Sequence, residues 1–328
     1  MPRVSVVVPA YNYGRFLQQT VDSLLDQTFE DLEVIVIDDA STDNTPEVMQ
    51  RYAEHPRVRS IRRPQNKGHI AAHNEGIELA RGEFIALMAA DDFCLARDAV
   101  ERQVAIFDAH PEVGMVYSAA TLVDTQGHAF SVQRPFTADY ISPGMDEFRR
   151  LLLGNYVTNS GTLVRKSAHD QLGGYDPRLP HAGDWELWLR IAAYFSIAYI
   201  AESLFAYRIH STNMSHSTVP PRQATDENLL TIENAFAALP PSAPADIRAL
   251  RPAVMRDTLY ITTTSDRVLG RNRRSFEALV DVARRSPVEL ARPRFYVSAA
   301  KLACQSLIGF DRYVRLSRWR SGRAAVAA

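Results

Sequence analysis

The apolar run Phe84-Ile85-Ala86-Leu87-Met88-Ala89-Ala90 ends in two adjacent carboxylates, Asp91 and Asp92. Burying one unpaired charge is costly, and two of the same sign at the tip of a core strand are harder still to accommodate. A bound cation removes the difficulty. Hard divalent ions such as Mg2+ or Mn2+ choose carboxylate oxygen. Asp92, alone or sharing the ion with Asp91, is the candidate ligand. A second apolar run, Leu32 to Ile37, ends in the same way in Asp38 and Asp39.

The elements that carry these pairs follow from hydrophobic pattern. The β-branched run Val4 to Val8, stopped by Pro9, reads as a buried strand. Phe16, Val21, Leu24 and Leu25 fall at helical spacing across 16–26. Residues 32–39 form a strand, Ser41-Thr42-Asp43 cap a helix through Val48, 58–63 form a weaker strand, 69–80 a helix and 83–90 a fourth strand. Alternating strands and helices predict an α/β fold with a mostly parallel sheet flanked by helices. In such sheets ligands bind beyond the carboxyl ends of the strands, where Pro9, Asp38-Asp39 and Asp91-Asp92 all stand. Farther on, 113–124 reads as a strand, 125–145 as a loop rich in turn formers, 161–176 as strand, helix and turn, and 183–195 as a helix. From about residue 224 the pattern is helical, which predicts a helical C-terminal region over 221–328.

With 46% hydrophobic and 23% charged residues in 328, the composition is that of a soluble globular protein. A formal net charge of −1 gives no global field for nucleic acid. The two cysteines, Cys94 and Cys304, have no zinc or disulfide spacing, which suits a reducing compartment. Residues 2–3 lead straight into a strand, leaving no room for a secretory signal, and no run reaches the ~18 apolar residues of a membrane span. A cytoplasmic protein is expected. The tail from Arg267 is basic, with Arg271, Arg273, Arg274, Arg284, Arg285, Arg292, Arg294, Lys301, Arg312, Arg315, Arg318, Arg320 and Arg323 interleaved with apolar residues. Such a pattern suits either a solvated helical face or peripheral contact with an anionic membrane surface at its inner face.

Five stretches in order resemble the family 2 glycosyltransferases, inverting enzymes of GT-A fold that use nucleotide-diphospho-sugars. They are VSVVVPAYNYGRFLQQTVDSLLDQTFEDLEVIVIDDASTDNT, NKGHIAAHNEGIELARGEFIALMAADD, GTLVRKSAHDQLGGYDPRL, GDWELWLRIA and YRIHSTNMS. Together they cover roughly residues 3 to 216. The resemblance implies a catalytic domain over 1–220, with a nucleotide-binding half (1–115) and an acceptor half (116–220). It implies that Pro9, Ala10, Tyr11 and Asn12 line the base pocket. Asp38 or Asp39 would accept a hydrogen bond from the base or ribose, with a uracil N–H as the expected donor, and the sequence leaves open which. Asn66, Gly68 and Asn74 would lie along the same pocket, and Asp91 and Asp92 would match the metal and ribose carboxylates. A divalent ion there would stabilise the charge of a departing diphosphate. His210 matches a position that reaches the metal or diphosphate. Asp184 matches the general base, which takes the proton of the attacking acceptor hydroxyl. Asn159, Ser160, Gly161 and Thr162 would face a saccharide or lipid-linked acceptor, Trp185 could stack on a sugar ring, and Trp188 would be core. Arg208 could neutralise the diphosphate or pair with a surface acid.

Two positions depart from the common pattern. Ala89 stands where the first carboxylate of Asp-x-Asp is usual, and Gly183 where Glu usually precedes the base. They raise a second reading, a catalytically impaired nucleotide-sugar or glycan-binding module. A nicotinamide dehydrogenase would need a Gly-rich turn after the first strand, where Pro9 to Phe16 has only Gly14. A sugar nucleotidyltransferase would need a Gly-rich basic loop at the same place.

Overall fold

A computed structural model of the chain describes residues 1–211, 213, 219–268 and 270–308. The tail arginines from Arg312 onward lie outside the described residues. Strand β1 (Val4–Ala10) runs parallel between β2 (Leu32–Asp38) and β4 (Phe84–Leu87), and β3 (Val58–Arg62) flanks β2. Covered on both faces, β1 has no polar alternation to show: Val4, Val6, Val7 and Val8 are all buried. Helices α1 (Gly14–Leu25), α2 (Thr45–Gln50) and α3 (His69–Leu79) are the crossovers. The buried stripe of α1 is Phe16, Leu17, Val21 and Leu24, close to the spacing expected from sequence. Strand β4 ends at Leu87, short of the expected 83–90. The Met88 N–H still donates to the Val7 carbonyl (2.9 Å), but that of Ala89 turns to the Ser160 hydroxyl (3.0 Å).

The second half is mixed. After β5 (Phe93–Cys94) and α4 (Ala99–Ala109), β6 (Val113–Val123) pairs in parallel with β10 (Ser196–Arg208). Strand β9 (Thr162–Arg165) is antiparallel to both β4 and β6 and joins the halves into one sheet of order β3-β2-β1-β4-β9-β6-β10-β5. Residues 125–145 are not the loop the turn formers suggest. They hold β7 (Ala129–Gln133), paired with β6, and β8 (Tyr140–Ser142), paired with β10. Strand β7 is exposed throughout, so burial imposed no alternation on its sequence. Helices α5 (Gly144–Leu151), α6 (Lys166–Leu172) and α7 (Gly183–Ala192) complete this half.

The chain divides into two compact units, Met1–Ser217 with Asn234–Arg248, and Thr218–Glu233 with Ala249–Ala328. Helix α8 (Pro221–Ala237) runs across the division, and all but the last residue of α9 (Ala245–Ala249) belongs to the first unit. The second unit contains α10 (Arg251–Thr258), α11 (Ile261–Val268), α12 (Asn272–Arg285), a 3-10 turn (Pro287–Ala291) and α13 (Pro293–Ile308). It has its own small core of Leu259, Tyr260, Leu279 and Val282. No helix among the described residues is long and apolar enough to cross a membrane.

The tips of β1 and β2 are backbone-strained. Asn12 (φ 61°) and Ala40 (φ 64°) both lie in the left-handed region. Asn12 has a reason: its Oδ1 accepts from the Thr42 N–H (2.8 Å), its own N–H donates to the Ser41 hydroxyl (2.9 Å), and Asn tolerates this conformation. Ala40 has no side-chain group to compensate in this way. Ala40→Gly is therefore expected to raise unfolding stability by roughly 0.5–1 kcal/mol, the relief of the Cβ clash less the added chain entropy. Urea denaturation measures it, and a loss of stability would contradict the turn geometry.

Candidate active site

The acid pair sits on a buried guanidinium. Arg208, the last residue of β10, is 1% exposed. Its Nε donates to the Asp91 carbonyl (2.8 Å), Nη1 to the Asp124 and Thr125 carbonyls (both 3.1 Å) and Nη2 to Gln19 Oε1 (2.6 Å), and it lies over the rings of Phe16 and Phe93. It therefore meets neither role expected of it: its partners are main-chain carbonyls and an amide, not a surface acid, and its fork is already filled. Burial holds its pKa below the usual arginine value. What it supplies is positive charge beneath Asp91 and Asp92.

The two aspartates differ. Asp92 is fully buried, and its Oδ1 accepts from the Arg208 backbone N–H (2.8 Å). Its Oδ2 is buried without a hydrogen bond. Burial, then the charge of Asp91, pushes its pKa well above the usual carboxylate range. Asp91 instead turns to the loop after β10. Its Oδ2 lies 2.9 Å from His210 Nε2 and 3.3 Å from Asn213 Nδ2, while no described residue donates to Oδ1. The His210 ring packs against Phe16 (5.2 Å) and Tyr13 (5.9 Å). Among the described residues no three His, Cys, Asp or Glu side chains form an all-protein cage. One carboxylate and one imidazole do suit an ion that takes its other ligands from phosphate and water. The donor set thus fits Mg2+ or Mn2+, with Asp91 better presented than Asp92.

The loops around the expected nucleotide pocket are built by the other named residues. Tyr11 is exposed (43%), Pro9 half-buried and Ala10 buried, its carbonyl accepting from the Asp39 N–H (2.9 Å). Asp38 has no exposure, and its Oδ1 accepts from the Ser41 N–H (2.9 Å). Asp39 takes Arg63 Nη1 (3.0 Å) and the Lys67 N–H (2.9 Å) on Oδ1 and the Gly68 N–H (2.8 Å) on Oδ2. Both carboxylates thus shape turns, and Asp39 is the one that touches the segment carrying Asn66 and Gly68. Asn66 Oδ1 also accepts from the Gly68 N–H (2.9 Å). Asn74 faces elsewhere: its Nδ2 donates to the Tyr175 carbonyl (2.9 Å) and its Oδ1 accepts from the Tyr175 N–H (2.8 Å). Both ends of its amide are engaged in tying α3 to the acceptor half, which replaces the nucleotide contact expected of it.

Asp184 is the second residue of α7 and half-buried. The Trp185 N–H donates to its Oδ1 (2.6 Å) and Asn155 Nδ2 to its Oδ2 (3.0 Å). Burial outweighs these bonds and pushes its pKa up to about 6. It neighbours Tyr175, whose own pKa burial and Asp184 raise. The Tyr175 hydroxyl donates to Asn159 Oδ1 (2.8 Å), and Ser160, the next residue, accepts from Ala89. Hydrogen bonds thus link the acid-pair loop through 159–160 to Tyr175, whose hydroxyl feels the charge of Asp184. Nothing in the sequence singles out Asn155 or Tyr175 for this role, since each is a lone polar or aromatic residue without a spacing pattern.

Three acceptor assignments are corrected by burial. Trp185 is 4% exposed with Nε1 bonded to the Leu151 carbonyl (2.8 Å), so it cannot stack on a sugar; Trp188 is core as expected. Thr162 lies inside β9, paired with Leu87, and is buried. Gly161 (φ 88°) is also interior: a Cβ there would lie 2.3 Å from Phe205. Asn159 and Ser160 sit at the head of this segment, bonded as described. Gly183 has neighbours as well, since a Cβ would meet Tyr175 and Ile70 at 3.2 and 3.3 Å.

This architecture is the GT-A type. Over 93% of this chain and 91% of that one, it superposes on the crystal structure of S. aureus TarS 1-349 in complex with UDP-GlcNAc, with TM-score 0.70 and 17% identity. Mannosyltransferase PcManGT from Pyrobaculum calidifontis, in complex with GDP-Man and Mn2+, matches with TM-score 0.54 and 20% identity over 94% and 87% of the two chains. The model of the family described as glycosyl transferase family 2 matches residues 5–173, and the chain belongs to that family. Chondroitin synthase of Escherichia coli is 31% identical over 216 residues, which make up 66% of this chain but 30% of that protein.

Arg208→Met is expected to lower stability by about 3–5 kcal/mol, because it strands carbonyl acceptors and leaves two like charges uncompensated. Chemical denaturation measures it; a loss within about 1 kcal/mol would mean the acid pair does not depend on this cation.

Proposed function

We propose that the protein is an inverting glycosyltransferase. It would move one sugar from a nucleotide-diphospho-sugar, a uridine donor in the first instance, to a saccharide or lipid-linked acceptor. The observation that carries this reading is Asp91 set against His210 at the strand ends, and an aspartate with a raised pKa at the start of α7 supports it. Supporting it, structural neighbours hold UDP-GlcNAc and GDP-Man, one of them with Mn2+. Asp91 and His210 would hold a divalent ion, which when bound supplies Lewis-acid stabilisation of the leaving diphosphate. The segment ending β1, with Tyr11 and Asn12, and the loop of Asn66 and Gly68 would cradle the nucleotide. Asp184 would accept the proton of the acceptor hydroxyl as it attacks the anomeric carbon. A pKa near 6 suits a general base, because the group is ionised at neutral pH yet more basic than an ordinary aspartate. The buried Cys94 and the free, exposed Cys304 accord with a reducing, cytoplasmic setting.

The experiment that decides it is a panel of nucleotide-sugar donors with EDTA and Mn2+ controls, read as nucleoside diphosphate release. Turnover of a uridine donor, lost with EDTA and restored by Mn2+, is expected. Donor binding without transfer or hydrolysis under any condition would favour the impaired binding module raised by Ala89 and Gly183.

Asp184→Asn should reduce turnover by about 10²–10⁴-fold with donor binding retained. The wild-type carboxyl has a higher pKa folded than unfolded, so the native state holds its proton more tightly. Ionisation therefore removes stability as pH rises from about 4 through 6. The amide variant should accordingly unfold at the same or higher denaturant concentration at pH 7, and a clear drop would contradict the raised pKa. In the wild type, kcat/KM should fall as pH drops through about 6, and a profile flat to pH 5 would remove Asp184 from the base role.

A further inference from the structure

The second unit presents a surface that the transferase site does not use. An open depression of about 410 Å3 is lined by the apolar side chains of Leu229, Met255, Leu259 and Val288, with Arg256, Arg285, Arg292 and Glu289 among its polar lining. Its cations are unequally committed. Arg285 is neutralised by Asp281 and Asp226, yet its Nη2 is buried without an acceptor. Arg292 meets Glu289 through Nε alone (3.2 Å), and Glu289 also accepts from the Tyr260 hydroxyl (3.0 Å). Arg256 pairs with no described residue. Arg256, without a partner among the described residues, thus faces this depression beside the only partly engaged guanidinium of Arg292.

The adjoining surface is apolar where a soluble protein is usually polar. Within ten residues of chain, Val288 (59%), Leu290 (43%), Tyr296 (60%) and Val297 (50%) are exposed. Val288 and Arg292 belong to both this ridge and the wall of the depression. Arg284 and Lys301, exposed and without partners among the described residues, flank this stretch in the chain. Exposed apolar side chains ringed by cations fit an interface with a bilayer, in which the apolar groups enter the headgroup region and the cations meet lipid phosphates. A soluble phosphate would give the ridge no function.

We propose that this face docks on an anionic lipid surface, one headgroup phosphate seated in the depression against Arg256 and Arg292 and the side chains of Val288, Leu290, Tyr296 and Val297 in the interface. The proposal rests on the peripheral membrane contact expected from the basic tail and narrows it to residues 256–297. Full-length protein would be sedimented with phosphatidylcholine vesicles with and without phosphatidylglycerol, alongside Arg256→Gln/Arg292→Gln and Val288→Asp/Leu290→Asp. Wild type should bind only the anionic vesicles, and each double variant should bind about tenfold more weakly, a few charges or apolar groups at the interface being sufficient for that. Nucleoside diphosphate release from a soluble donor should be unchanged in both variants, which reports intact folding. Wild-type binding that neither variant weakens would overturn the site while leaving membrane contact to the tail. No binding by wild type, or equal binding to neutral vesicles, would overturn both.

Discussion

Two adjacent carboxylates at the end of a buried strand are the constraint around which the rest is arranged. At a generic separation of ~4 Å and an effective dielectric of ~20, like unit charges repel by roughly 4 kcal/mol, a sizeable part of a domain's stability. The fold answers with Arg208, brought from the far end of β10, whose backbone N–H binds Asp92 and whose guanidinium binds the main chain at Asp91. That solution divides labour between the pair. Asp92 becomes part of the framework, and Asp91 is left facing His210, with no described donor on its other oxygen. The protein's own groups leave one buried Asp92 oxygen without a hydrogen bond, so the pair is only partly compensated.

A second constraint is that the two halves must be held in register. The sheet does part of this through β9, whose antiparallel pairing with β4 sets Thr162 opposite Leu87 and brings Ser160 to Ala89. Asn74 does the rest with one amide on both backbone groups of Tyr175. Tyr175, stacked on His73 and bonded to Asn159, then stands beside Asp184. A residue of α3 therefore fixes the backbone of Tyr175, and an interaction that looks like a pocket contact in sequence is a clamp in the structure.

The parallel half was legible because its strands are buried on both faces and leave continuous apolar runs that polar residues end. The positions of Asp91, His210 and Asp184 came from motif order, and the structure brings the first two into contact. What the sequence could not convey was direction. Trp185 and Thr162 have the right residue types for an acceptor site, but burial sends both inward. Arg208 has a suitable charge for a diphosphate, but its partners are carbonyls from 91, 124 and 125, far apart in the chain. Strand β7 was hidden by the reverse cause: an exposed strand needs no alternation; β8, three residues long, is too short to show any.

The division of labour within the acid pair leaves Asp91 beside His210 and buries Asp92 against Arg208, so the proposed cation and diphosphate would meet Asp91 first. A crystal structure with UDP and Mn2+ tests this most directly. Ion density is expected between the diphosphate oxygens and Asp91, with the His210 imidazole in its coordination sphere and Asp92 still bonded to the Arg208 backbone. Bound UDP with no ion beside Asp91, or an ion held by Asp92 after release of Arg208, would contradict it.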